Sequence, residues 1–88
     1  MITVNTIDST NFEVIVEGNP TTTHQVSVTH LYYEKLTENR VSPEALIEAS
    51  FQFLLDRESN TSILPRFDLP IIERYFPEYE ETIKKMLK

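Results

Sequence analysis

The chain has no cysteine, no tryptophan and a single glycine at Gly18. It is also short of positive charge, with 8 Lys and Arg against 14 Asp and Glu for a net charge of −6. Each shortage excludes something. Without cysteine there are no disulfides and no thiolate metal ligands, which fits a reducing compartment. One glycine is too few for a Walker-type phosphate loop, a dinucleotide-binding fingerprint or the G-x-S-x-G elbow of a serine hydrolase, each of which needs several. The acidic balance disfavours coating a polyanion, because affinity for nucleic acid comes largely from Lys and Arg at phosphates. Anionic membrane surfaces are disfavoured for the same reason. No run approaches the roughly 20 apolar residues that cross a bilayer. The opening "MITVNTIDSTNFEVIVEG" lacks the basic and apolar segments of a secretory leader. A cytoplasmic protein is expected, with no membrane and no nucleic acid among its partners.

What is present fits one small domain spanning residues 1–88, since a chain of this length holds a single core. Residues 1–9 and 86–88 are the segments with least to hold them in place. Typical per-residue values give a net stability of about 4 to 13 kcal/mol. In "NFEVIVEG", Phe12, Val14 and Val16 alternate with Glu13 and Glu17, the period of a half-buried strand. "GNPTTT" reads as a turn, in which Gly18 permits positive φ and Pro20 fixes its own. "THQVSVTH" alternates again through Val26 and Val28, so the two runs form an antiparallel hairpin. "ITVNTI" can add a third strand through Ile2 and Val4. "HLYYEKLT" is helix-like and short.

"VSPEALIEASFQFLLDRE" carries the strongest helix signal. Ser42 is an N-cap, Pro43 stands where a missing N–H costs nothing, and Glu44 meets the positive pole of the dipole. Leu46, Ile47, Phe51, Leu54 and Leu55 share one broad arc that Phe53 extends, marking the centre of the core. "ILPRF" is extended because Leu64 precedes a proline. The tail "RFDLPIIERYFPEYEETIKKMLK" divides into two helices. Asp68 is placed to cap the first, Pro77 ends it and suits the first position of the second. Acidic residues then precede Lys84, Lys85 and Lys88 in the order the dipole favours. Tyr79, Ile83, Met86 and Leu87 form the apolar stripe of that last helix.

Candidates for chemistry are few. His24 and His30 have the same strand parity, but six extended residues separate them by roughly 20 Å, beyond a shared metal, so both read as ordinary strand-end residues with polar tips. Asp56 and Glu58 point to different sides of a helix, and the dipole alone accounts for Glu44. Ser50 lies within the apolar arc, where a serine bonds the carbonyl one turn back more often than it acts as a nucleophile. "NTS" at Asn60 fits a glycosylation sequon that a cytoplasmic chain would not use. Arg57, Arg66, Arg74, Lys84, Lys85 and Lys88 would have to converge for nucleic-acid binding. The sequence therefore calls for no catalytic residue, no metal and no cofactor.

"THQVSVTH", "SPEALIEASFQFLLDRE" and "SILPRFDLPIIERYFPEYE" together resemble a group of short uncharacterised bacterial proteins, over most of the chain from about His24 to Glu80. The resemblance implies a bacterial, cytosolic protein and carries no activity or site residues with it. The expectation is a two-layer α+β domain: an antiparallel hairpin or three-stranded sheet packed by a central helix and two to three shorter ones. Its expected function is a non-enzymatic interaction or regulatory module, with Tyr75, Phe76, Tyr79 and Ile83 as the candidate surface. A protein partner or a second copy of the chain would dock there. The alternative is a small enzyme or ligand-binding protein using carboxylates and a histidine.

Overall fold

Alternating apolar residues need a partner strand on each side and a covering layer on one face, and the first 27 positions supply the strands. A computed structural model describes residues 1–88. In it Ile2–Thr6 (β1), Asn11–Val16 (β2) and Thr22–Ser27 (β3) form an antiparallel meander, with Val4 opposite Val14 and Phe12 opposite Val26. Phe12, Val14, Val16, Val26 and Val28 are buried, whereas Glu13 and Gln25 face the open side. Residues 1–9 thus include a paired strand. A fourth strand, Arg66–Asp68 (β4), adds parallel to β3 with Phe67 beside Val26, giving the order β1-β2-β3-β4. The sheet is therefore mixed and one strand wider than sequence periodicity indicates. Three residues are too few to display a period of two.

The helices are α1 (His30–Thr37), α2 (Pro43–Leu55), α3 (Ile71–Tyr75) and α4 (Tyr79–Met86). They confirm the α+β class. None is long and apolar enough to cross a membrane. The α2 start is as expected: Ser42 Oγ accepts the Ala45 N–H at 3.1 Å with Pro43 in the first turn. Its Leu46, Ile47, Ala49, Ser50, Phe51, Phe53 and Leu54 are all buried. Near the sheet, the Thr6 hydroxyl donates to the Glu44 carboxylate.

The punctuation differs from expectation at three places. Asp68 does not cap α3; it lies on β4, where its carboxylate accepts from Ser27 on the neighbouring strand, and α3 begins after Pro70 without a side-chain cap. Pro77 ends α3 but stands two residues before Tyr79, the first residue of α4, because Pro77 and Glu78 make a turn closed by Tyr79 N–H to Phe76 O at 2.9 Å. Gly18 does not use positive φ, which occurs instead at Glu38 and Asn39 after α1. At Gly18 the constraint is space. A Cβ there would stand 3.2 Å from Pro20 O and 3.3 Å from the Asn60 side chain.

Every buried side-chain nitrogen and oxygen has a hydrogen-bond partner. Ser50 Oγ donates to Leu46 O at 2.8 Å, as the apolar arc implied, so the Tyr79 hydroxyl 2.7 Å away is the donor to Ser50. Burial pushes the Tyr79 phenol up. Tyr79→Phe leaves the Ser50 oxygen still bonded to Leu46 and removes one bond between α2 and α4. It is expected to lower stability by about 1 kcal/mol in urea titration.

Candidate interaction surface

The four aromatic and apolar residues named around Pro77 separate by burial. Tyr79 and Ile83 are 0% exposed, so they belong to the core and leave the candidate surface. The α4 stripe that contains them docks against α1, α2 and α3. Phe76 is half-buried, edge-on to Phe53 with ring centroids 5.8 Å apart. Only Tyr75 projects freely, at 66% exposure.

Tyr75 and Phe76 nevertheless border a groove. Eight of its ten lining residues are hydrophobic: Leu54 from α2, Ile63 and Leu64 from the turn that follows Asn60–Ser62, Phe67 from β4, Ile71, Ile72 and Tyr75 from α3, and Phe76 just beyond it. Glu58 and Ser62 complete the wall. No residue of β1, β2 or β3 contributes, so the groove lies on the outer flank of β4. Its volume is about 200 Å³. That is below the roughly 300 to 1,000 Å³ of small-molecule sites. Leu64, 44% exposed, stands at its rim. The ILPRF run indicated an extended segment here, but which side of it would be open to solvent depends on strand pairing that local sequence does not show.

The adjoining strand edge is open. Gln25 N–H bonds Pro65 O and Leu69 N–H bonds Ser27 O, both at 2.8 Å. By alternation, Pro65, Phe67 and Leu69 direct their backbone toward β3, and the backbone N–H and C=O of Arg66 and Asp68 point away from the sheet. Both residues are exposed.

No group of three or more His, Asp or Glu is placed to hold a metal ion. His24 is buried in mid-strand rather than at a strand end. Its Nδ1 is 2.8 Å from Leu64 O and its Nε2 is 2.8 Å from Thr22 Oγ1. His30 is exposed and pairs with Glu34 at 3.1 Å. Of the arginines and lysines named for nucleic acid, Arg57 is held by Glu78 and Lys85 by Glu81. Two depressions on the open sheet face, about 360 and 420 Å³, are lined mostly by polar residues such as Asn11, Glu13, Gln25 and Arg66.

One cluster joins three helices. Glu80 accepts from Tyr32 Oη at 2.8 Å and from Lys35 Nζ at 3.1 Å. Burial alone would raise Glu80, but hydrogen bonds from Glu73, Tyr32 and Lys35 outweigh it and hold the carboxyl below its usual range. Glu73, hydrogen-bonded to Glu80, is pushed up. Tyr32 is raised by burial and by its bond to Glu80. The signs follow from linkage. The Glu80 contribution is present above the unfolded carboxylate pKa and fades as pH falls through the lower folded value. Glu73 acts oppositely, weakening the fold once pH rises past the unfolded value. Glu73→Gln, which keeps a donor to Glu80 without a charge, is therefore expected to raise the melting temperature at pH 7 and leave it unchanged near pH 4.

No protein-family model, no curated protein and no solved structure matches the chain.

Proposed function

We propose that the chain is a non-enzymatic interaction module that takes an extended apolar segment of a partner protein as an additional strand beside β4. One observation carries this reading: an apolar groove lies against an unpaired strand edge. Strand addition uses backbone hydrogen bonds for affinity and a pocket beside the edge for alternate side chains. The free backbone of Arg66 and Asp68 supplies the first, and the groove between Leu64 and Tyr75 supplies the second. Its volume of about 200 Å³ suits a few side chains rather than a cofactor. The setting is the bacterial cytoplasm, in keeping with the absence of cysteine and the resemblance of the chain to short bacterial proteins. A small enzyme using a carboxylate and a histidine has less support: the groove contains no histidine and a single carboxylate, and His24, which borders the 420 Å³ depression with Glu13, has both ring nitrogens engaged by Leu64 O and Thr22 Oγ1.

The test is selection of a displayed library of random 12-residue segments on the full chain, followed by fluorescence-polarisation titration of the enriched segments. Binders are expected to carry apolar residues at alternate positions and to shift the amide resonances of Arg66 and Asp68. Leu64→Asp is expected to weaken binding at least tenfold, equivalent to about 1.4 kcal/mol. Its far-ultraviolet dichroism and melting are expected to match the wild type, since Leu64 is partly exposed already. Segments that bind wild type and Leu64→Asp equally would remove the proposal. So would self-association through β4 detected by analytical ultracentrifugation, which would make a second copy of the chain the occupant.

A further inference from the structure

Resting on that reading, we infer that Glu58 selects segments that place a lysine or arginine side chain in the groove. Glu58 is the only carboxylate among the lining residues, and it is half-buried against Leu54, Ile63 and their neighbours. It makes neither an ion pair nor a side-chain hydrogen bond. The ion pairs of the protein use Glu34, Glu38, Glu78, Glu80 and Glu81 instead. A partly desolvated carboxylate with no partner favours any cation that can reach it.

The surroundings reinforce the sign. Glu58 follows the C-terminus of α2, where the helix carries its negative pole, and α2 has no basic residue in its last turn. The cation nearest in sequence is already committed. Arg57 Nε lies 3.2 Å from Glu78, its Nη1 donates to Phe53 O at 3.0 Å, and its guanidinium sits 3.5 Å from the centroid of the Phe53 ring. The groove therefore offers a carboxylate and a helix terminus of the same sign at the end of an apolar wall. A lysine or arginine matches this arrangement, with its aliphatic stem along the wall and its charged head at Glu58. The net charge of −6 draws basic segments toward the surface in the same sense.

The experiment uses the 12-residue segments enriched from the random library. Lysine or arginine is expected at one preferred position. Replacing that residue by glutamine is expected to weaken binding to wild type about tenfold and to Glu58→Gln less than twofold. Replacing it by glutamate is expected to weaken wild-type binding further. The wild-type preference is expected to shrink as sodium chloride rises toward 1 M, whereas substitution of an apolar residue in the same segment weakens binding to both proteins alike. Enriched segments without a preferred basic residue, or equal discrimination by wild type and Glu58→Gln, overturn the role of Glu58 while leaving strand addition standing. A library that yields no segment binding at the β4 edge overturns both.

Discussion

Replacing Phe53 by alanine is expected to cost about 3 to 5 kcal/mol, the range for removing a buried aromatic ring. Against a total of about 4 to 13 kcal/mol for a chain of this size, that consumes most of the margin at the lower end of the range. Phe53 is 1% exposed and holds together the two halves of the helical layer. Its ring meets Tyr79 edge-on with centroids 5.2 Å apart and Phe76 edge-on at 5.8 Å, while the Arg57 guanidinium lies over it at 3.5 Å. The void left by alanine would thus open beneath α3 and α4 together. Urea titration followed by far-ultraviolet dichroism measures the loss. Phe53→Leu, which refills much of the volume, is expected to lose clearly less. A Phe53→Ala cost under 1 kcal/mol would mean that the surrounding rings do not pack on it as described.

His24→Ala is expected to have the second largest effect, and to act on both stability and binding. A carbonyl oxygen only accepts, so the Leu64 contact places the proton on Nδ1, and Nε2 then accepts from the Thr22 hydroxyl. Thr22 in turn accepts from Asn60 Nδ2 at 3.1 Å. The ring also packs on Phe51, with centroids 5.3 Å apart. Alanine removes the donor of the Leu64 carbonyl, a bond only partly shielded from water and worth about 0.5 to 1.5 kcal/mol, and the lost packing of a buried ring adds to that. His24→Phe retains the ring and isolates the polar part. Because Leu64 is also a wall of the groove, His24→Phe is expected to weaken binding of the selected segments. A change at the opposite edge of the sheet, such as Asn5→Ala on β1, is expected to leave their affinity unaltered. If His24→Phe melts like the wild type, the imidazole bonds contribute nothing net.

These residues also show how much was legible in sequence. His24 shares the parity of Val26 and Val28, so its core-facing side was readable, and treating it as a polar strand end overlooked that signal. Its partners were not readable, because Leu64 and Asn60 come from a segment about 40 positions away. The α2 start and the separation of α3 from α4 follow from Ser42, Pro43 and Pro77, whose effects are local. Burial of Tyr79 and Ile83 follows from the spacing of the α4 stripe once a core exists to receive it. The groove has no such local source. Leu54, Leu64, Phe67 and Tyr75 look like ordinary apolar residues of four separate segments, and only the pairing of β4 with β3 sets them side by side.

That pairing also sets an order of events in folding. β1, β2 and β3 follow one another through short turns, so their ladders close small loops. β4 joins β3 parallel, with Ser27 and Asp68 in contact although 41 positions apart, and the intervening chain must be ordered before the contact stabilises anything. The meander and α2 are therefore expected to form early and the β4 seam late. In the native protein the same seam is expected to open first, since three paired residues hold it. In native-state hydrogen exchange, the amides that β4 and Leu69 donate to β3 are expected to lose protection well before those joining β2 to β3. The edge proposed for partner binding is thus expected to be the least cooperative part of the sheet, and an added strand would act on folding as a clamp that slows its opening.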